Sequence, residues 1–178
     1  MNNTTIRPTT FDEIIGQKSV VNRLKIISHG CKNNGGAMPH ILIDGPPGLG
    51  KTTIASALAN ELGVNLYTLN AANIRAIKNI LPYLMGIMPR SILFIDEIHR
   101  LPKIVEEFLY PVMEDFVLNI LVKDKEEKEA PAKIDLPIFT LAGATTSGGS
   151  LSQPFYDRFT IKEHLSYYSI DELAKLAG

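Results

Sequence analysis

Apolar positions along the chain fall into two alternating patterns. Short, unbroken apolar runs take turns with longer segments in which apolar residues recur every three or four positions. The first pattern reads as strands buried on both faces, the second as helices with one buried face. Residues 40–44 (HILID), 64–69, 91–95 (SILFI) and 139–144 are the strand-like runs. Helical spacing begins after Gln17 and runs through Leu24 and Ile27, with Gly30, Gly35 and Gly36 expected to end it. Residues 52–62 read as a second helix, closed by Gly63 as a left-handed cap. Ile74, Ile77 and Leu81 mark a third over 71–81, which Pro82 stops or kinks. Pro102 suits the first turn of a fourth. Thr10 with Glu13, and Ser169 with Glu172, have the spacing of capping boxes. The last helix opens at Ser169 and the chain stops at Gly178, so more sequence is expected beyond it.

Two apolar segments, 117–122 and 134–138, flank the charged stretch KDKEEKEAPAK. This predicts a β-hairpin with a long polar tip; a plain solvated loop is the alternative. Elsewhere strands and helices alternate. The expected fold is α/β, a mainly parallel central sheet flanked by helices on both faces.

Composition narrows the function classes. At 178 residues the chain holds one domain and the start of a second, and 45% hydrophobic with 21% charged residues is globular composition. Lys and Arg total 18 against 19 Asp and Glu, a net charge of −1, so a strongly basic nucleic-acid surface is excluded. Any DNA contacts must be few or come from other parts of the protein. The single cysteine, Cys31, excludes an intrachain disulfide and a multi-cysteine zinc site, and fits a reducing, cytoplasmic compartment. The N-terminus has no apolar signal region, and no apolar run approaches membrane-spanning length.

The strongest chemical signal is Gly45-Pro46-Pro47-Gly48-Leu49-Gly50-Lys51-Thr52, followed by Thr53. It fills every position of G-x-x-x-x-G-K-[ST], between an apolar run and a helical segment. Glycines allow a tight turn that aims backbone N–H groups at phosphate, Lys51 adds charge near the β- and γ-phosphates, and Thr52 offers a hydroxyl to Mg²⁺. A second signal is ILFI followed by Asp96-Glu97. Two carboxylates at the end of a buried strand lie on the sheet edge where α/β proteins bind ligands. Asp96 can reach Mg²⁺ and Glu97 can polarise a water. Thr145 and Thr146 end another apolar run; they fit either a γ-phosphate contact or an ordinary helix cap. His99, beside the acidic pair, reads as a local hydrogen-bonding partner, Asn70 as a turn residue, and Arg158 taken alone as a surface arginine.

The order of these segments resembles a known family. Ile6-Arg7-Pro8, FDEIIGQ (11–17), GPPGLGKTT, LFIDEIHRL, EEFLYPVMEDF, DLPIFTLAGATT and YDRF together resemble the RuvB family, the Holliday-junction branch-migration motors among the AAA+ ATPases. The resemblance implies a P-loop NTPase (AAA+) fold with a β-hairpin inserted before the sensor strand. It implies ATP and Mg²⁺ as cofactors, with Lys51 and Thr52 on phosphate and metal, Asp96 on the metal and Glu97 on the attacking water. Thr146 becomes the γ-phosphate sensor, and Arg158 an arginine finger acting on nucleotide held by a neighbouring subunit. Ile14, Ile15 and Gly16 match the segment that lies against adenine. Residues 117–136 fall where the family docks its junction-binding partner, RuvA. A homo-oligomer is implied, a hexameric ring in the full-length family, working on branched DNA in recombination and repair.

The chain departs from the family in three places: Ile14 stands where a Tyr is usual, Tyr156 where an Arg often precedes Asp-Arg-Phe, and the hairpin tip is unusually charged. The resemblance places the large ATPase domain at 1–168 and the start of a helical lid at 169–178. The rest of the lid and the winged-helix DNA-binding domain are expected to be missing from this chain, leaving a motor domain of low activity on its own. Two other functions stay open: a clamp-loader-like or replication-associated AAA+ ATPase, and a nucleotide-binding regulatory fragment. The stretch between MEDF and LPIFTL argues against the clamp-loader type, which passes almost directly into the sensor strand. Intact Lys51, Asp96 and Glu97 argue against a dead site.

Overall fold

The computed structural model describes residues 8–123, 129–146 and 150–177. Five strands form one sheet in the order β2-β3-β6-β1-β7, every neighbouring pair parallel. They are β1 (Ile41–Asp44), β2 (Leu66–Asn70), β3 (Ile92–Asp96), β6 (Thr140–Thr145) and β7 (Ile161–His164). The three central strands are almost wholly buried, as unbroken apolar runs require. Helices α1 (Lys18–Asn33) and α2 (Lys51–Leu62) cover one face, where Val21, Leu24, Ile54 and Leu58 meet Ile43, Phe94 and Ala142. The other face carries α3 (Ile77–Met85), α4 (Lys103–Glu114) and α5 (Gln153–Asp157), packing Leu84, Leu109 and Phe155, with Phe159 just beyond α5, against Leu42, Leu93 and Leu141. Each fully buried Leu, Ile or Phe among them contributes about 1.5–3 kcal/mol.

β4 (Val117–Lys123) and β5 (Glu129–Asp135) make a separate antiparallel hairpin leading from α4 back to β6. The hairpin reading is right, but its second strand starts earlier than expected. Glu129 to Ala132, read as part of the polar tip, pair with residues 120–123, because backbone register continues past the apolar positions. The middle of the charged tip, 124–128, lies outside the described residues. A last helix, α6 (Ile170–Ala177), begins at the Ser169 box, where Ser169 N–H donates to Glu172 (2.8 Å) and Glu172 N–H to Ser169 Oγ (3.3 Å).

Two local expectations are corrected. Gly30 does not end α1, which continues to Asn33; the chain leaves the helix at Asn34 and turns at Gly35 (φ +66°). The helix expected over 71–81 is two elements. Asn70 caps a single 3-10 turn at Ala71–Asn73, and α3 starts only at Ile77, where Asn79 Oδ1 accepts from Ala76 N–H (3.0 Å). Pro82 then lies inside α3 rather than after it. The Thr10 box is present around a single 3-10 turn, Glu13 accepting from Thr9 N–H (2.6 Å) and Thr10 N–H (3.4 Å). Two elements were not foreseen, α5 and the edge strand β7. Both are short, and β7 alternates buried and exposed positions as a half-covered edge does.

Candidate functional site

Sheet order brings the sequence motifs together. β3, β6 and β1 are neighbours, and each ends in one motif: Asp96-Glu97, Thr145-Thr146 and the loop from Gly45. Register aligns Asp44 with Thr145, and Gly45 N–H donates to the Thr145 carbonyl at 3.2 Å. The three motifs thus converge at the carboxyl edge of the sheet, where open α/β folds bind ligands.

The loop itself needs its first glycine. Gly45 has φ +147°, and a Cβ there would lie 2.7 Å from the Leu165 carbonyl oxygen at the exit of β7. Gly50 enters α2 in the left-handed conformation, so the first N–H groups of α2 open onto the loop. Pro47, Gly48, Gly50, Lys51, Thr52, Thr53, Asp96 and Glu97 line a pocket of about 300 Å³. Pro46 borders it through its carbonyl, and Leu49 turns away into the α1–α2 side of the core.

Lys51 is only 7% exposed, and its Nζ donates to the carbonyls of Gly45 (2.7 Å) and Pro46 (2.9 Å). Burial lowers its pKa from the ordinary value, while the carboxylates of Glu97, Asp96 and Asp44 oppose that shift. An ammonium on its own loop's carbonyls can exchange them for phosphate oxygens without crossing the pocket.

Glu97 adopts a left-handed conformation (φ 51°, ψ 42°) at the exit of β3. Such a conformation is uncommon for a residue with a side chain. Its Oε2 accepts from the Thr146 hydroxyl (3.3 Å) and lies 3.4 Å from His99 Nε2. His99 Nδ1 in turn is 2.9 Å from Thr145 Oγ1. The carboxylate expected to polarise water and the hydroxyl expected to sense phosphate are therefore in direct contact, and His99 ties the same carboxylate to the neighbouring Thr145, the local role read for it. Asp96 Oδ1 accepts from Glu97 N–H (2.9 Å). Asn70 accepts from Ala72 N–H (2.9 Å), as a turn residue does.

A Mg²⁺ ion fits the donors present. Among the described residues no group of three or more His, Cys, Asp or Glu could hold a metal by itself, and Mg²⁺ does not need one. It takes one or two protein ligands and completes its shell with waters and phosphate oxygens. Thr52 and Asp96 line one pocket and meet that requirement.

Arg158 is not among these groups. Its guanidinium lies 4.0 Å from the centre of the Tyr110 ring, pairs with Glu114 (3.0 Å) and donates to the Pro154 carbonyl (2.5 Å). All of these partners belong to α4 and α5.

Ile14 packs on the edge of the core beside the loop, and Ile15 is half-buried. Gly16 (φ +76°) lies under an aromatic ring: a Cβ there would come within 2.8 Å of Tyr168. The Tyr168 hydroxyl donates to the Leu49 carbonyl at 3.2 Å, so one side chain spans the Gly16 segment and the phosphate loop. Burial and the Glu172 carboxylate push its phenol above the ordinary value. Sequence reasoning missed Tyr168. The absence of a Tyr at position 14 was visible, but nothing in the pattern showed that residue 168 would close on Gly16.

The fold and the glycine-lysine loop define a P-loop nucleotide-binding domain. Residues 6–165 match the family model described as the Holliday junction DNA helicase RuvB P-loop domain, and the chain belongs to that family. Among solved structures it is similar to the RuvB Holliday junction branch migration motor of Thermotoga maritima, at 38% identity and a TM-score of 0.83. A mutant of the same protein gives 39% identity and a TM-score of 0.86. The matches cover 96% of this chain but only 52% and 53% of the others, so it spans about half the length of those motors. Among the described residues, no helix is long and apolar enough to cross a membrane.

Proposed function

We propose that this domain binds and hydrolyses MgATP to drive a RuvB-type DNA translocase in Holliday-junction branch migration. The observation that carries the proposal is the convergence of Lys51, Asp96, Glu97 and Thr146 at the ends of three adjacent strands. In this reading the loop 45–53 cradles the phosphates, and Thr52 and Asp96 hold the metal, which neutralises phosphate charge when bound. Glu97 orients and polarises the attacking water. Thr146 reports the state of the γ-phosphate to Glu97 through their hydrogen bond. Ile14, Ile15 and Tyr168 border the adenine.

Arg158 then acts in trans. Its guanidinium rests on α4 and α5 and none of these contacts is with the phosphate loop, which suits an arginine that one copy of the chain brings to its neighbour's site. That requires an oligomer, a hexameric ring in the full protein, and predicts slow turnover for an isolated chain. Residues 1–168 form the ATPase domain and 169–178 open the helical lid. The hairpin 117–136 offers exposed Leu121 and Val122 to a junction-binding partner of the RuvA type. With a net charge of −1, this domain leaves most contacts with branched DNA to other parts of the motor.

The test is a pair of variants followed by nucleotide titration and phosphate release. Lys51→Ala should abolish MgATP binding, because the charge facing the β- and γ-phosphates is gone. Glu97→Gln should bind as the native chain does and lose about 10²–10⁴ in hydrolysis rate. Unchanged affinity in the first, or normal turnover in the second, overturns the assignment of that residue.

A further inference from the structure

Glu106, Tyr110 and Glu114 are spaced four apart on α4 and so form one stripe on its surface. All three meet the segment that carries Arg158. Glu106, only 8% exposed, accepts from the Tyr110 hydroxyl (2.8 Å) and from Ser152 Oγ. Tyr110 and Ser152 also touch each other, at 3.2 Å. Ser152 is the N-cap of α5, accepting from Phe155 N–H. Arg158 ends the same helix and lies across the Tyr110 ring. One buried carboxylate therefore fixes both the start of α5 and the plane of the ring on which the guanidinium rests.

We propose that Tyr110 is a positioning residue for Arg158, holding the guanidinium over its ring face so that it is presented to a neighbouring subunit's nucleotide. The inference rests on the reading of Arg158 as a finger acting in trans. A free arginine side chain loses much rotamer freedom on reaching a phosphate, and a stacking face removes part of that freedom in advance. The ring suits the task better than a second carboxylate would. Stacking attracts the cation through the ring face and leaves its full charge in place, while Nη1 and Nη2 are held by the Pro154 carbonyl and Glu114. The Glu114 pair is different: Glu114 is 56% exposed, so its contact can be exchanged for phosphate as the subunits meet. Burial raises the Tyr110 phenol above its ordinary value, so at neutral pH it remains a hydroxyl that can donate to Glu106.

The experiment is a mixing assay of ATP hydrolysis, run at chain concentrations where the native rate per chain has stopped rising. Tyr110→Leu removes the ring; Tyr110→Phe keeps it and loses the hydroxyl. Tyr110→Leu should turn over roughly threefold to thirtyfold more slowly, the range a cation–π contact spans, with nucleotide affinity unchanged. Tyr110→Phe should stay closer to the native rate. The reading that separates positioning from general damage is rescue. Lys51→Ala chains have a dead site but a well-placed Arg158, so mixing them with Tyr110→Leu should restore hydrolysis at the Tyr110→Leu sites. Arg158→Ala mixed with Lys51→Ala is the control. If the control recovers and Tyr110→Leu does not, or if Tyr110→Leu shows no defect, Tyr110 has no positioning role. If the control fails, or the native rate per chain never depends on concentration, the trans finger falls and this inference falls with it.

Discussion

Lys51, Glu97 and Thr146 divide the site's chemistry by type of group: a buried cation, a carboxylate and a hydroxyl that touches it. The places of Lys51 and Glu97 were legible in the sequence because each stands at a fixed offset from a glycine loop or a strand end, whereas Thr146 was singled out only by the resemblance. Tyr168 was not legible, since its place depends on the chain returning after β7 to lie over Gly16. It is also the residue whose role is most open to measurement. An aromatic face stacked on a base contributes about 1–3 kcal/mol. Tyr168→Ala should therefore weaken nucleotide affinity by about fivefold or more, without the complete loss expected of Lys51→Ala. Titration with ATP and with inorganic triphosphate separates the cases. The Tyr168→Ala defect should appear for ATP and vanish for triphosphate, which carries no base. An equal loss for both would make Tyr168 a support for the loop rather than a contact for adenine.

At the scale of elements, the strands were readable because burial on both faces leaves unbroken apolar runs. α5 and β7 were not, since five and four residues are too few to show a period. The division of 71–81 into a 3-10 turn and α3 turned on the amides of Asn70 and Asn79, which offer the backbone local acceptors. His40, immediately before β1, ties three elements. Its Nδ1 accepts from Leu141 N–H (2.9 Å) in β6, so its Nε2 carries the proton that meets the Met113 carbonyl (2.9 Å) at the end of α4. Both ring nitrogens are engaged in the neutral form, and burial lowers the pKa from its ordinary value, opposed in part by the Met113 carbonyl. The sign follows from linkage. Below the ordinary histidine pKa the unfolded chain takes up a proton that the folded chain resists, so stability present above about pH 6.5 declines as the pH falls. Denaturant melts at pH 7.5 and pH 5.5 should show this loss in the native chain and a smaller one in His40→Gln. The same loss in both would place the titration elsewhere.

For the whole molecule, an order of three adjacent strands gathers the phosphate loop, the acidic pair and Thr146 at one edge, and the arginine proposed to complete the site stands on the far side of a subunit contact. The sequence showed this only through the resemblance, because Arg158 by itself looks like any surface arginine. The structure adds that its partners are Tyr110, Glu114 and Pro154, none of which belongs to the phosphate loop. The central claim is thus an ATPase completed by its neighbour. The most direct measurement is the rate of ATP hydrolysis per chain as a function of chain concentration, for the native sequence and for Arg158→Ala, at saturating MgATP. The native rate per chain should climb with concentration as subunits meet. Arg158→Ala should bind nucleotide normally and remain lower by about 10³–10⁵ at the top of the range. A native rate per chain that is independent of concentration, or an Arg158→Ala chain that climbs in parallel to the same plateau, would contradict the account.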